Sequence, residues 1–212
     1  MNNRLAITLS VVFHPLLLTT YLFLLLFFVT PDLLGVNAFE LTGMSSLLLL
    51  IFVNTFVVPA VTIFYMHKAR IISSLQVDNL AERRLPYLMC VLVYALATYL
   101  FGWKLEPIAE LAPKIAVILG SVTVSLFVVF AISLTWKVSA HATGIGGAIA
   151  MLSGMIIRFN ETALLPSLLA TILIGGCVLS ARLQLNAHNS GQILAGFLCG
   201  AAVSSATVYF FF

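Results

Sequence analysis

The sequence predicts an all-α integral membrane protein, a single bundle of about seven spanning helices, and three observations predict it. Of its 212 residues 62% are hydrophobic and only 8% are charged. A soluble domain is about a quarter charged, so this chain lacks the polar shell that a soluble fold of its size requires. Its apolar residues fall in runs close to the ~20 that carry a helix across a bilayer core. Within those runs Leu, Val, Phe and Ile follow one another without the polar alternation of a membrane barrel. Helices then satisfy every backbone polar group within one segment. A soluble enzyme, a disordered chain and a nucleic-acid-binding module are excluded. A scattered net charge of +3 leaves no footprint for a phosphate backbone.

Taken in order, the expected spans are 5–29, 44–66, 86–103, 115–136, 142–157, 162–179 and 192–212. The first is too long for the apolar region of a signal peptide and carries no small-residue cleavage site. It is read as a helix kinked at His14-Pro15, because Pro removes a donor and crowds the preceding turn. The joining segments, 30–43, 67–85, 104–114, 137–141, 158–161 and 180–191, are all short, so residues 1–212 form one transmembrane domain. Gly196 and Gly200, with the small residues of 143–148, predict close helix packing rather than a ligand loop. Cys90, Cys177 and Cys199 lie in apolar spans as small hydrophobes and imply neither disulfide nor metal.

With seven spans the N-terminus and segments 67–85, 137–141 and 180–191 share a face. That face carries Arg4, Lys68, Arg70, Arg83, Arg84, Lys137 and Arg182, against Lys104, Lys114 and Arg158 on the other. The positive-inside rule places the richer face in the cytoplasm. If Arg83, Arg84, Lys137 and Arg182 are there to bind an anion, the two faces are even and sidedness stays open. The expected location is a bacterial inner (plasma) membrane.

Ionisable residues at a membrane edge cost free energy and are the default functional candidates. Three clusters fall on the basic face, at 82–87, 136–141 and 180–192. Together they hold His141 and His188, Arg83, Arg84 and Arg182, Lys137 and Ser139, a set that would bind an oxyanion and move a proton. The acids nearby, Asp78 and Glu82, sit in the longest loop, so neither a zinc site nor a glycosidase dyad is expected, and no cofactor. Lys137, Ser139 and His141 share one direction if extended, and Ser139 is placed to cap a helix starting near Ala142. His188 and Gln192 are four apart, on one face of a helix. Arg182 precedes His188 by six residues, so a loop would let both reach one phosphate, the guanidinium in bidentate fashion. Plainer roles compete. Lys137 beside Trp136 reads equally as an interfacial anchor, Arg83 and Arg84 as positive-inside residues, and His67 as interfacial. His14 reads as a structural histidine bonding a carbonyl freed by the kink.

Two of these clusters resemble the type 2 phosphatidic acid phosphatase superfamily, which includes lipid phosphatases, glucose-6-phosphatase and vanadium haloperoxidases. Val138-Ser139-Ala140-His141 resembles its Pro-Ser-Gly-His block. Arg182, five residues, His188, three residues and Gln192 resemble its Ser-Arg, five residues, His, three residues, Asp block. The likeness covers roughly the last eighty residues. The first block of the family, Lys, six residues, Arg-Pro, is matched less well. Arg84-Leu85-Pro86 has an inserted Leu, and Val77 or Gln76 stands where Lys would be. The resemblance implies a phosphatidic-acid-phosphatase-like catalytic core in the C-terminal helices. In that core His188 attacks phosphorus to form a phosphohistidine and His141 protonates the leaving oxygen. Lys137, Ser139 and Arg182, with Arg84 or Arg83, hold the equatorial oxygens. Neutral imidazole is a competent nucleophile near pH 7 and imidazolium a competent acid, with fixed cations to stabilise the transferring group. Gln192 replaces the family's Asp, so it fixes the His188 tautomer without supplying negative charge. The implied function is metal-independent hydrolysis of a lipid phosphate or polyprenyl pyrophosphate, with membrane lipids as partners and no nucleic acid. The alternative is a non-catalytic lipid-phosphate-binding or transport protein on the same fold.

Overall fold

A computed structural model of the chain describes residues 2–75, 77, 79–106 and 108–212; Gln76 and Asp78 lie outside the described residues. The long elements are helices: α1 Asn3–Val12, α2 Pro15–Val29, α3 Leu41–Lys68, α4 Ala81–Lys104, α5 Pro113–Ser133, α6 Ala140–Phe159, α7 Thr162–Gln184 and α8 Ser190–Phe211. The six from α3 to α8 are each long and apolar enough to cross a membrane. α1 and α2, bent by 59° at their junction, make a seventh span if counted as one. The chain is thus an integral membrane protein built from helices. α7 runs on to Gln184, past the apolar limit at 179, because Arg182 in its last turn complements the helix dipole.

The first span is broken rather than gently kinked. His14 takes an extended conformation (φ −58°, ψ 140°), as a residue before proline prefers, and Pro15 opens α2 where its missing N–H costs nothing. The His14 Nδ1 accepts the Leu16 N–H at 3.3 Å and so caps α2. A second proline acts inside α3. Pro59 cannot donate to the Thr55 carbonyl one turn before it, and the helix widens into a π turn over Val53–Val57. The buried Tyr94 of α4 donates its hydroxyl to that carbonyl at 2.8 Å and lies 3.3 Å from Thr19 Oγ1 of α2, which ties three helices together.

The most extensive helix contact joins α6 and α8. A Cβ on Gly146 would strike the Phe197 carbonyl, one on Gly196 the Ser139 carbonyl, and one on Gly200 the Thr143 carbonyl. Small residues therefore let two backbones touch, as membrane packing favours. This contact seats segment 137–139 against the start of α8, where the Ser139 N–H donates to the Gln192 carbonyl at 3.3 Å. The main apolar core, with Phe23, Phe27, Ile51, Phe101, Ile118 and Met155, lies away from this region. At the other end α2, α4, α6 and α8 begin, and α3, α5 and α7 finish.

Candidate functional site

At that end a cavity of about 100 Å³ is lined by His14, Arg83, Tyr87, His141, Arg182 and His188 among other residues. One water needs roughly 10–15 Å³ by this measure, so several waters or a small oxyanion have room. Among the described residues its walls hold two guanidinium groups, three imidazoles and no carboxylate. Cations gathered in low dielectric favour an anionic guest.

His188 is buried in the turn between α7 and α8. Asn189 caps α8, its Oδ1 accepting the Gln192 N–H at 2.9 Å, while Gln192 Oε1 accepts the Asn189 N–H at 3.3 Å. This is a capping box, and it fixes a tautomer. A backbone N–H can only donate, so the Gln192 atom facing it is oxygen. The same oxygen lies 3.1 Å from His188 Nδ1, which must therefore carry the proton. The lone pair is left on Nε2. Burial pushes the His188 pKa down from 6.5 to about 4; the Gln192 bond offsets part of this, and the charges of Arg83, Arg182 and Lys137 add to the depression.

His141 lies in the first turn of α6, buried, and donates its Nε2–H to the Ser10 carbonyl of α1 at 3.0 Å. That carbonyl is one that the α1–α2 break orphans, because the His14 N–H turns to Val11 instead. The freed carbonyl thus goes to His141. His14, expected to bond it, instead uses Nδ1 as the cap of α2 and presents its ring to the cavity, 6.0 Å from the His141 ring and edge-on to it.

Arg83 and Arg84 part company. Arg83 is only 3% exposed and donates from Nε to the Val77 carbonyl at 2.9 Å and from Nη1 to the Val138 carbonyl at 3.2 Å. It lies over the Tyr87 ring, 5.8 Å from the centroid, and reaches the cavity. Arg84 is exposed and donates to the Leu134 carbonyl at the end of α5, away from the cavity walls. Ser139 is wholly buried; its Oγ accepts the Ala142 N–H at 3.3 Å, so it caps α6, which begins at Ala140. Lys137 lines an open outer hollow with His188, Asn189 and Gln192, so His188 forms the wall between hollow and cavity. Glu82 turns to the preceding loop, accepting from Ser73 N–H at 2.7 Å, Ser73 Oγ at 2.9 Å and Asn79 Nδ2 at 3.3 Å.

The structure therefore gathers Arg83, His141, Arg182 and His188 about one cavity, keeps Gln192 behind His188 and Lys137 beyond it, and leaves Arg84 outside. His14 joins them. Its sequence signal is the His-Pro pair, but a continuous span over 5–29 would hide it in the bilayer middle. Among the described residues no group of three or more His, Cys, Asp or Glu side chains is placed to hold a metal ion. No family model, curated protein or solved structure matches the chain.

Proposed function

We propose that the protein hydrolyses a lipid phosphate or polyprenyl pyrophosphate through a phosphohistidine, without a metal. One observation carries the reading: three histidines and two arginines from four separate parts of the chain line one cavity. His188 Nε2 attacks phosphorus as the bond to the leaving oxygen breaks, with Arg182 and Arg83 holding the other phosphoryl oxygens. Gln192 keeps the Nδ1 proton in place. His141 keeps its Nε2–H on Ser10, so the proton for the leaving oxygen comes from Nδ1. Water then attacks phosphorus, its proton passes to His141 Nδ1, the N–P bond breaks and phosphate leaves. A lipid substrate is supported by an apolar crevice between α2, α5, α6 and α8, which shares Pro15, Leu16, Leu126 and Ala140 with the cavity.

The test is phosphate release from a panel of lipid phosphates by purified protein. Vanadate inhibition, an acid-labile phosphoenzyme and loss of turnover in His188→Ala are expected. The Gln192 amide, which brings no charge to the nucleophile, favours a second reading as a lipid-phosphate binder or transporter. Tight binding with no turnover between pH 5 and 9 would decide for that reading.

A further inference from the structure

His14 lines the same cavity as His141, Arg182 and His188, but no motif includes it. Its chemistry is set by the helix it caps. Nδ1 accepts the Leu16 N–H at 3.3 Å, so the ring proton sits on Nε2. A second proton on Nδ1 would sacrifice the cap. The other two imidazoles are committed elsewhere: Gln192 draws the His188 proton to Nδ1 and leaves the Nε2 lone pair for phosphorus, while Ser10 holds the His141 Nε2–H and leaves its Nδ1 to exchange the proton of the leaving oxygen. A lone pair repels a phosphoryl oxygen, whereas an N–H binds one.

We propose that His14 is a ligand of the bound oxyanion, its neutral Nε2–H donating to a phosphoryl oxygen beside the Arg83 and Arg182 guanidinium groups. The inference rests on the phosphoryl reading of the cavity. The break at Phe13-His14 then serves two purposes, supplying the Ser10 carbonyl that orients His141 and the donor that meets the anion.

Two variants separate ligand from cap. His14→Asn keeps a strong cap, since Asn accepts well at this position, but it is too short to carry a donor to where Nε2 stands. His14→Gln weakens the cap and retains an amide donor at about that reach. Orthovanadate and inorganic phosphate are titrated calorimetrically into the detergent-solubilised full chain, with thermal unfolding followed in parallel. The expected result is that His14→Asn unfolds like wild type yet binds both anions on the order of tenfold to a hundredfold more weakly, the worth of a hydrogen bond to a charged group. His14→Gln unfolds earlier but binds more tightly than His14→Asn. A merely structural role predicts the reverse order in binding. Wild-type affinity in His14→Asn, or His14→Gln binding no better than His14→Asn, overturns the inference, and turnover lost in His188→Ala would leave the phosphatase reading standing. Wild type that binds neither anion overturns both.

Discussion

Gln192→Glu replaces one NH2 by oxygen and puts a negative charge 3.1 Å from His188 Nδ1. Glu serves a capping box as well as Gln does, so the start of α8 is preserved. In the wild type, burial first and then the neighbouring cations take His188 from 6.5 to about 4, against the opposing Gln192 bond. At about 1.4 kcal/mol per pH unit, this is roughly 3 kcal/mol against the imidazolium. An adjacent carboxylate acts in the opposite direction by about 1–3 pH units, so the variant is expected to titrate near pH 6. The sign for stability follows. Because the folded value is depressed, the stability His188 contributes is complete above about 6.5 and is lost as pH falls through about 4; the variant narrows that window. Phosphoryl transfer develops positive charge on the same ring. The stronger, charge-assisted bond, better by about 1 kcal/mol, should speed single-turnover phosphoenzyme formation about fivefold. Gln192→Asp should act in the same direction. The assay is NMR titration of the histidine rings in micelles, with His188 assigned from His188→Ala, beside rapid-quench phosphoenzyme measurements. A wild-type His188 titrating near 6.5, or one unmoved by Gln192→Glu, would refute the reasoning.

Other perturbations probe the scaffold. Arg83→Lys keeps the charge but loses the directed bonds to the Val77 and Val138 carbonyls, so turnover should fall at least about tenfold with loss of thermal stability. Arg84→Ala should leave turnover within about twofold, since exposed side chains of this kind contribute little; the opposite ranking in phosphate-release assays would sink this assignment. Gly200→Ala drives a Cβ onto the Thr143 carbonyl and should destabilise by about 1–3 kcal/mol, whereas Gly176→Ala, with nothing within 4 Å, should be neutral or stabilising. Equal unfolding temperatures for these two variants would contradict the close α6–α8 contact. Tyr94→Phe leaves the Thr55 carbonyl without its hydroxyl donor and should cost about 1–3 kcal/mol in thermal unfolding; no loss would mean that the π turn satisfies itself.

Much of the local geometry was legible because it depends on near neighbours along the chain. The four-residue spacing of His188 and Gln192 becomes a hydrogen bond from the residue before the cap to the first turn of α8, and Ser139 becomes the cap of α6. Gly196 and Gly200 become the close contact that small residues signal. Arg83 and Arg84 were not separable in this way. Successive helical residues point about 100° apart, and which one meets the cavity depends on how the start of α4 is turned against segment 137–139.

Hydropathy and length alone determined that the chain is helical and lies in a membrane, because lipid leaves a backbone no other way to pair its polar groups. Only the tertiary structure decided which charged groups meet. The 59° break brings the Ser10 carbonyl to His141 and His14 to the cavity, and the glycine contact draws Ser139 beside Gln192. Angles between helices and the approach of their backbones arise from packing among residues far apart in the chain, so no linear spacing records them.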